Sequence, residues 1–258
     1  MIASRIFNGS LRTSAQLISL RYLKQVKPNV EVPNMIDRAK YRLGFGDLQY
    51  SVMQLNAAGE NMFAVCAEYP VFEEFVDKLS LPDTFQSWFS VTALHMWMCL
   101  VRLRREGTEG QLLKRAFVNV SLCYIELGSL KLLWLDLRSR MRTFKILRKQ
   151  HKQVKAFQMQ FFGSMFAYDE GLLSHSDALL ATALWRNLFL SSDTTTGQEL
   201  EIIVEYVRKN LAHLDGQSSS TILGFGTPTF LPLIGNELNA HFANERLRYC
   251  LSWPEFMK

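Results

Sequence analysis

The fold is decided by residues 81–107, which read LPDTFQSWFSVTALHMWMCLVRLRREG. Apolar side chains recur there at spacings of three, four and seven residues, the period of an α-helix. One face carries Phe85, Trp88, Phe89, Thr92, Met96, Cys99, Leu100 and Leu103, and the other carries Val91, Leu94, Met98 and Val101. A helix that is apolar all round is predicted to lie in the middle of a bundle. We expect Asp83, with Gln86, to cap its start and Gly107 to end it in a left-handed conformation.

The same pattern predicts further helices on both sides of this one. Upstream, NMIDRAKYRLGFG (34–46) and PVFEEFVDKLSL (70–81) are interpreted as helices. Downstream, Thr108 with Gln111, Ser174 with Asp177, and Thr196 with Glu199 have the spacing of a capping box. After Gly216 the helical period is lost, which predicts a loosely structured C-terminal tail over 216–258. Within that tail, NELNAHFANERLRYCL (236–251) has the pattern of one more helix.

The N-terminal segment differs from the rest of the chain in charge. The chain has 29 basic and 24 acidic residues, and residues 1–27 hold five of the basic and none of the acidic ones. Arg residues separated by Ser, Thr and apolar residues are typical of a mitochondrial presequence. The alternative is an ordinary cationic N-terminus. The organisation predicted is therefore a presequence over 1–27, an all-α, single helical-bundle domain over 35–215, and the tail.

The sequence contains no pattern that predicts catalysis, a cofactor or a metal. The four cysteines form no C-x-x-C pair, and the five histidines have no metal-ligand spacing. No P-loop, G-x-S-x-G or H-E-x-x-H motif is present. His95, on the central helix, is interpreted as a core histidine with its hydrogen bonds satisfied and not as a haem ligand. The longest apolar candidate for a membrane span, 85–103, contains His95 and Arg102, and we interpret it as a buried helix.

Five ordered blocks carry a resemblance to a known family: LPDTFQSWF (81–89), HMWMCLVR (95–102), YDEGLL (168–173), LLATALWR (179–186) and LEIIVEYVRKN (200–210). They resemble the ubiquinol–cytochrome c chaperone family over most of 81–215. One departure is that LWLDL (133–137) has Leu135 where the family has an acidic residue. It follows 120–132, which resembles an insertion relative to the family.

The resemblance implies a function as well as a fold. It implies a non-catalytic, all-α protein on the matrix side of the mitochondrial inner membrane. Such a protein holds newly made cytochrome b during assembly of the ubiquinol–cytochrome c reductase, and needs no cofactor of its own. The partners implied are cytochrome b, a small partner assembly factor, the mitochondrial ribosome and the inner-membrane surface.

Residues 138–155, RSRMRTFKILRKQHKQVK, form a cationic segment without a single acidic residue. Its basic residues are Arg138, Arg140, Arg142, Lys145, Arg148, Lys149, Lys152 and Lys155. An apolar stripe from Met141 to Phe161 makes the segment amphipathic, so the charges are expected on its other sides. These charges fit ribosomal RNA, an anionic membrane, or a face that contacts only water.

A second candidate site is Tyr168, Asp169 and Glu170, which are interpreted as an acidic corner that faces a partner. They are predicted to lie in a turn between two helices, where Gly171 also fits a helix C-cap. Two classes of function therefore stay open. One is an assembly factor that holds a client, and the other is a helical adaptor that binds RNA or membrane without a client.

Overall fold

The computed structural model describes residues 48–118, 137–138, 140–142, 150–174, 176–235 and 237–252, and their regular structure is helical. The helices are α1 Val52–Glu68, α2 Phe72–Leu79, α3 Phe85–Leu103, α4 Gly107–Val118, α5 Gln150–Leu173, α6 Asp177–Asn187, α7 Gly197–Gly216 and α8 Ala240–Leu251, with a π-helical turn at Ser220–Phe225. The all-α fold class predicted from the sequence is confirmed. The predicted presequence, the predicted helix at 34–46 and the predicted insertion at 120–132 lie outside the described residues.

Helix α3 is the centre of the bundle, as its sequence predicts. Of its 19 residues, 17 are buried, so no face of the helix is left to water. It packs against α1, α4, α5 and α7. Its start corrects the sequence prediction, because Thr84 and not Asp83 is the N-cap. The Thr84 hydroxyl accepts a hydrogen bond from the Ser87 amide at 3.3 Å, which satisfies a donor that the helix itself leaves open.

Three other helix boundaries differ from the prediction. Gly107 is left-handed (φ 60°) as expected, but it begins α4 after α3 has ended at Leu103. Thr108 therefore lies inside α4. Ser176, and not Ser174, precedes α6. The capping box of Thr196 and Glu199 at the start of α7 is confirmed, with both reciprocal hydrogen bonds present.

Helix α1 is the element that the sequence analysis missed. It begins with a capping box, since the Ser51 hydroxyl accepts from the Gln54 amide and the Gln54 side chain accepts from the Ser51 amide. Its inner face carries the fully buried Leu55, Met62 and Cys66. Helix α1 packs against α3, α4, α8 and the π-helical turn, so it closes one side of the bundle.

Residues 226–235, here called the C-terminal strap, form an irregular segment that contacts α7. They lack helical structure as predicted, but they are not loose, since Phe230 and Leu233 are buried in the core. Side chains of α7 and of Gln217, the residue that follows α7, make hydrogen bonds to the strap's backbone. The Asn210 amide oxygen accepts from the Leu231 amide at 2.7 Å, and the Gln217 side chain both donates to and accepts from the backbone of Thr229. These hydrogen bonds satisfy backbone groups of Thr229 and Leu231 without a β-sheet.

His95 is a core histidine whose two ring nitrogens both have partners. Its Nδ1 lies 2.7 Å from the Val91 carbonyl oxygen, and its Nε2 lies 2.6 Å from the Tyr206 hydroxyl. A carbonyl only accepts, so Nδ1 carries the proton and the Tyr206 hydroxyl donates to Nε2. Burial lowers the His95 pKa from 6.5 to about 4, because the charged ring would be desolvated. The interpretation of His95 as a satisfied core residue is confirmed.

The first testable prediction concerns the pH dependence that His95 gives the fold. Unfolding exposes a ring with a pKa of 6.5 that is about 4 in the folded protein. As pH falls, the unfolded state therefore protonates this ring before the folded state does. The stability that is present above pH 6.5 is lost as pH falls towards 4. The total loss is about 3 kcal/mol, at about 1.36 kcal/mol per pKa unit. Chemical unfolding of His95→Gln between these pH values is expected to show a flatter slope than wild type. His241→Gln, which removes an exposed histidine, is the control for the loss of a histidine as such, and an unchanged slope in His95→Gln contradicts the assignment.

The second prediction concerns the point where the strap begins. Gly226 has φ 65°, and a Cβ there would lie 1.8 Å from the Ala58 carbonyl oxygen of α1. Gly226→Ala is therefore expected to cost at least about 3 kcal/mol of unfolding free energy. Gly235 is the matched control, because its φ is also positive at 92° but no atom lies within 4 Å of the added carbon. Gly235→Ala should cost only about 1–2 kcal/mol, and equal melting temperatures for the two variants would show that α1 does not press against the strap.

Candidate functional site

The cationic segment is divided by the structure into exposed and buried charges. Arg138, Arg142, Lys152 and Lys155 are exposed. Lys145, Arg148 and Lys149 lie outside the described residues. Leu137 and Met141 are buried and hold the first part of the segment against the bundle. Val154 and Phe161 are also buried, so the apolar stripe predicted for this segment does face the core where it is described.

Arg140 corrects the picture of a uniformly exposed set of cations. Its guanidinium forms a salt bridge with the Glu68 carboxylate of α1, and each side chain is only 7% exposed. The guanidinium carbon also lies 4.4 Å from the centroid of the Trp88 ring. Such a charge is already desolvated and paired, and its removal would leave Glu68 buried without its partner. Arg140 therefore anchors the segment to α1 and α3, and it is not positioned to meet a phosphate.

The acidic corner is also rearranged. Helix α5 continues to Leu173, so Tyr168, Asp169 and Glu170 lie within its last turns and not in a turn between helices. Tyr168 is buried, and its ring lies 5.2 Å from that of Trp97. Burial raises the pKa of the Tyr168 hydroxyl above its ordinary value. Asp169 accepts hydrogen bonds from Trp97 Nε1 at 2.8 Å and from Arg104 at 2.5 Å. Both residues thus have structural contacts, and only Glu170 is exposed.

Gly171 is not a C-cap, because the helix passes through it. A Cβ at this position would lie 2.9 Å from the Cα of Leu180. The glycine therefore allows α5 and α6 to approach closely where they cross. Gly171 therefore has a structural role, but it acts at the crossing of two helices and not at the end of one.

The two candidate sites lie at opposite ends of α5. Lys152 and Lys155 are near its start, and Glu170 is near its end, 15 residues after Lys155. At 1.5 Å per residue, this places them about 22 Å apart along the axis. Among the described residues of α5, the structure therefore does not bring Lys152 and Lys155 together with Glu170.

Between these ends lies a surface that the sequence analysis missed. Met159, Phe162, Phe166 and Leu173 are exposed, by 70%, 44%, 74% and 70%. Because they are three, four and seven residues apart, they share one side of α5. The signal was available in the sequence as a second apolar stripe at helical spacing. It was overlooked because the first stripe, which contains Val154 and Phe161, accounts for the packing of the helix.

The described part of the chain holds no candidate metal site. No cluster of three or more His, Cys, Asp or Glu side chains suited to a metal ion occurs among the described residues. Cys66 and Cys99 approach to 3.6 Å between their sulfur atoms but remain buried free thiols. Burial raises the pKa of Cys66, which keeps it in the unreactive thiol form. None of the helices in the described part of the chain combines the length and the apolar character needed to cross a membrane.

Comparisons with known proteins relate this helical architecture to one family. The sequence profile described as "Ubiquinol-cytochrome C chaperone" matches residues 77–229. Ubiquinol-cytochrome-c reductase complex assembly factor 1 of Xenopus laevis is 37% identical over 194 residues, which cover 74% of this chain and 90% of that protein. The protein of the same name in Homo sapiens is 36% identical over 197 residues and 74% of this chain. The match spans only 60% of the human protein's own length.

Two further comparisons extend the range of relatives. Protein CBP3, mitochondrial, of Saccharomyces cerevisiae is 28% identical over 225 residues, which are 78% of this chain and 61% of that protein. The crystal structure of the Cbp3 homolog from Brucella abortus shares the fold with a TM-score of 0.53 at 18% identity, and covers 77% of this chain and 98% of that one. The profile matches more than half of the chain and relatives exceed 30% identity, so the chain belongs to the ubiquinol–cytochrome c chaperone family.

Proposed function

We propose that this protein is a non-catalytic assembly factor that holds newly made cytochrome b during biogenesis of the ubiquinol–cytochrome c reductase. The observation that carries the proposal is the family match over residues 77–229. That range includes α3, α4, α5, α6 and α7 and ends inside the strap. The shared part is thus most of the helical bundle and not a single motif.

The names of the relatives support a general function in assembly of the reductase, and the family resemblance supplies the client, the partner and the location. The frog and human relatives are named as assembly factors of the ubiquinol–cytochrome c reductase complex, and the yeast relative is named as mitochondrial. From the resemblance we infer cytochrome b as the client and a small assembly factor as partner. We place the protein on the matrix side of the inner membrane, where mitochondrial ribosomes deliver membrane proteins.

The described surface is compatible with these partners. A carrier of a membrane protein needs apolar groups that water can reach, and α5 exposes Met159 and Phe166. A protein that stays near ribosomes or an anionic membrane benefits from exposed cations, such as Arg142 and Lys152.

A second candidate function is a helical adaptor that binds RNA or an anionic membrane without holding a client. The exposed side chains of Arg138, Arg142, Lys152 and Lys155 favour it, because phosphate contacts require only positive charge. The two candidates differ in one observable property, which is the recovery of newly made cytochrome b.

The third prediction tests this difference. We expect tagged protein isolated from mitochondria, after a pulse label of mitochondrial translation, to recover newly made cytochrome b. Another mitochondrially made membrane protein, such as a subunit of cytochrome oxidase, is the control for general hydrophobic capture and should stay in the unbound fraction. Recovery of ribosomal RNA or lipid without cytochrome b would support the adaptor function instead. Equal recovery of both membrane proteins would show general capture of hydrophobic proteins and contradict cytochrome b as the specific client.

The fourth prediction separates the two kinds of cation in the segment. Replacement of Arg138, Arg142, Lys152 and Lys155 with Gln is expected to change the unfolding free energy by no more than about 0.5 kcal/mol per residue, because exposed substitutions away from structural contacts are mild. Salt-sensitive co-sedimentation with mitochondrial ribosomes or anionic liposomes should nevertheless fall. For Arg140→Gln we expect the opposite, which is a large loss of stability without the removal of an exposed binding charge. This substitution is expected to cost about 3–5 kcal/mol, because Glu68 would remain as a buried charge without its partner.

The paired variants make the result decisive. Thermal melts measure the stability of each variant, and sedimentation at two salt concentrations measures its binding to ribosomes and liposomes. If the four-residue variant keeps wild-type binding to ribosomes and to liposomes, the exposed cations form only a hydrated face. A wild-type melting curve for Arg140→Gln would show that the ion pair with Glu68 does not hold the segment.

A further inference from the structure

Helix α5 is apolar on two separate sides, although only one of them is needed for packing. Its inner side contributes Val154, Phe161 and Tyr168 to the core. Met159, Phe162, Phe166 and Leu173 form its outer side, which we call the outer stripe, and three of the four are at least 70% exposed. Single exposed apolar residues are common on protein surfaces, but four in line on one helix mark an interaction surface.

The outer stripe is continuous with positive charge at one end. Lys152 and Lys155 are exposed and precede Met159 by seven and four residues, which puts them on the same side of the helix. From Lys152 to Leu173 the line is about 32 Å long at 1.5 Å per residue. The acidic residue on this side is Glu170, near the far end, whereas Asp169 is turned towards Trp97 and Arg104.

We infer that the outer stripe of α5 docks on the surface of an anionic lipid bilayer. Lys152 and Lys155 would lie at the headgroup phosphates, with Met159, Phe162 and Phe166 at the boundary of the acyl chains. This inference rests on the proposed function, because it assigns a surface to the membrane contact included there. An exposed apolar helix face with basic residues beside it has the composition of a helix that lies in a membrane interface.

The geometry favours lipid over other occupants. Aromatic side chains stack on the bases of single-stranded RNA, but Met159 and Leu173 have no ring, and the two cations are confined to one end of the stripe. A helical client segment is usually held in a groove. The outer-stripe side chains instead project from one helix. Stable peripheral binding takes two signals, and apolar insertion and charge are both present here.

The fifth prediction is that purified full-length protein floats with vesicles of phosphatidylcholine and cardiolipin, and much less with phosphatidylcholine alone. Met159→Gln/Phe162→Gln/Phe166→Gln is expected to reduce partitioning into the mixed vesicles by about tenfold or more, since three apolar side chains lose their burial in lipid. The matched control is Met53→Gln/Ile234→Gln/Phe242→Gln, which removes three side chains that are 81%, 57% and 45% exposed on other elements. It should bind as wild type does.

The charge contribution has its own matched pair. Lys152→Gln/Lys155→Gln is expected to reduce binding to the mixed vesicles by about tenfold at low salt. This difference from wild type should disappear at high salt, because salt screens the attraction. Lys78→Gln/Lys114→Gln removes the same net charge from exposed positions on α2 and α4 and should have a much smaller effect. Equal losses in the two pairs would indicate attraction by net charge alone and overturn the assignment to α5.

A single labelled position measures insertion even if the triple variant does not fold. Cys66, Cys99 and Cys250 are buried, so Phe166→Cys in a Cys123→Ser background offers a reactive thiol on the stripe for an environment-sensitive fluorophore. Its emission should shift to shorter wavelength with the mixed vesicles and not with phosphatidylcholine alone. No shift on bound vesicles overturns the inference. A triple variant that loses binding to single-stranded polyuridine but keeps its binding to vesicles also overturns the inference.

These measurements are independent of the test of the client. Purified protein and vesicles contain no cytochrome b, so a failure to recover cytochrome b from mitochondria would leave the vesicle result unchanged. Conversely, a stripe variant that still recovers cytochrome b but no longer binds vesicles would separate membrane docking from client binding.

Discussion

Helix α3 has to be covered on every side, because 17 of its 19 residues are buried. The covering elements also have to supply polar partners at the few points where α3 carries polar atoms. Tyr206 of α7 donates to the His95 ring, the Leu214 carbonyl at the end of α7 accepts from Arg102, and Asp169 of α5 accepts from Trp97. A sliding or rotated helix would leave one of these groups buried without a partner, which costs more than the hydrogen bond itself contributes. Apolar burial thus drives the assembly, and three polar contacts determine how α5 and α7 are aligned on α3.

The sequence was sufficient for the elements with strong local signals. The apolar circumference of α3 and the capping box before α7 were both read correctly, because each depends on residues close together in the chain. The cap at Thr84 was misplaced by one residue, since Asp83 is an equally good cap by type and the choice depends on which side chain reaches the Ser87 amide. Helix α1 was missed although Ser51 and Gln54 carry its capping box. Its middle, LNAAGEN, dilutes the apolar period with small and polar residues.

The candidate site was less predictable because its decisive contacts join distant parts of the chain. Nothing near Arg140 indicates Glu68, 72 residues earlier, and so a buried ion pair appeared in the sequence as one more surface charge. Asp169 looked free of structural contacts because Trp97 and Arg104 also lie far away in sequence. Gly171 resembled a helix end by residue type, whereas its small size is required by the crossing with Leu180. Exposure of the outer stripe could be known only once α5 had been placed, since two apolar sides on one helix do not reveal which side is inside.

The C-terminal strap and α8 complete contacts of helices that are synthesised much earlier. The carbonyl oxygens of Tyr69 and Pro70, where α1 ends, accept hydrogen bonds from Arg246, about 177 residues later in the chain. Phe230 of the strap completes the surroundings of His95, with the two ring centroids 4.7 Å apart. Synthesis proceeds from the N-terminus at about 5–20 residues per second, so the end of α1 waits on the order of ten seconds or more for its final partners. Until the strap and α8 are present, the carbonyl groups at the end of α1 and the His95 ring of α3 lack these final contacts.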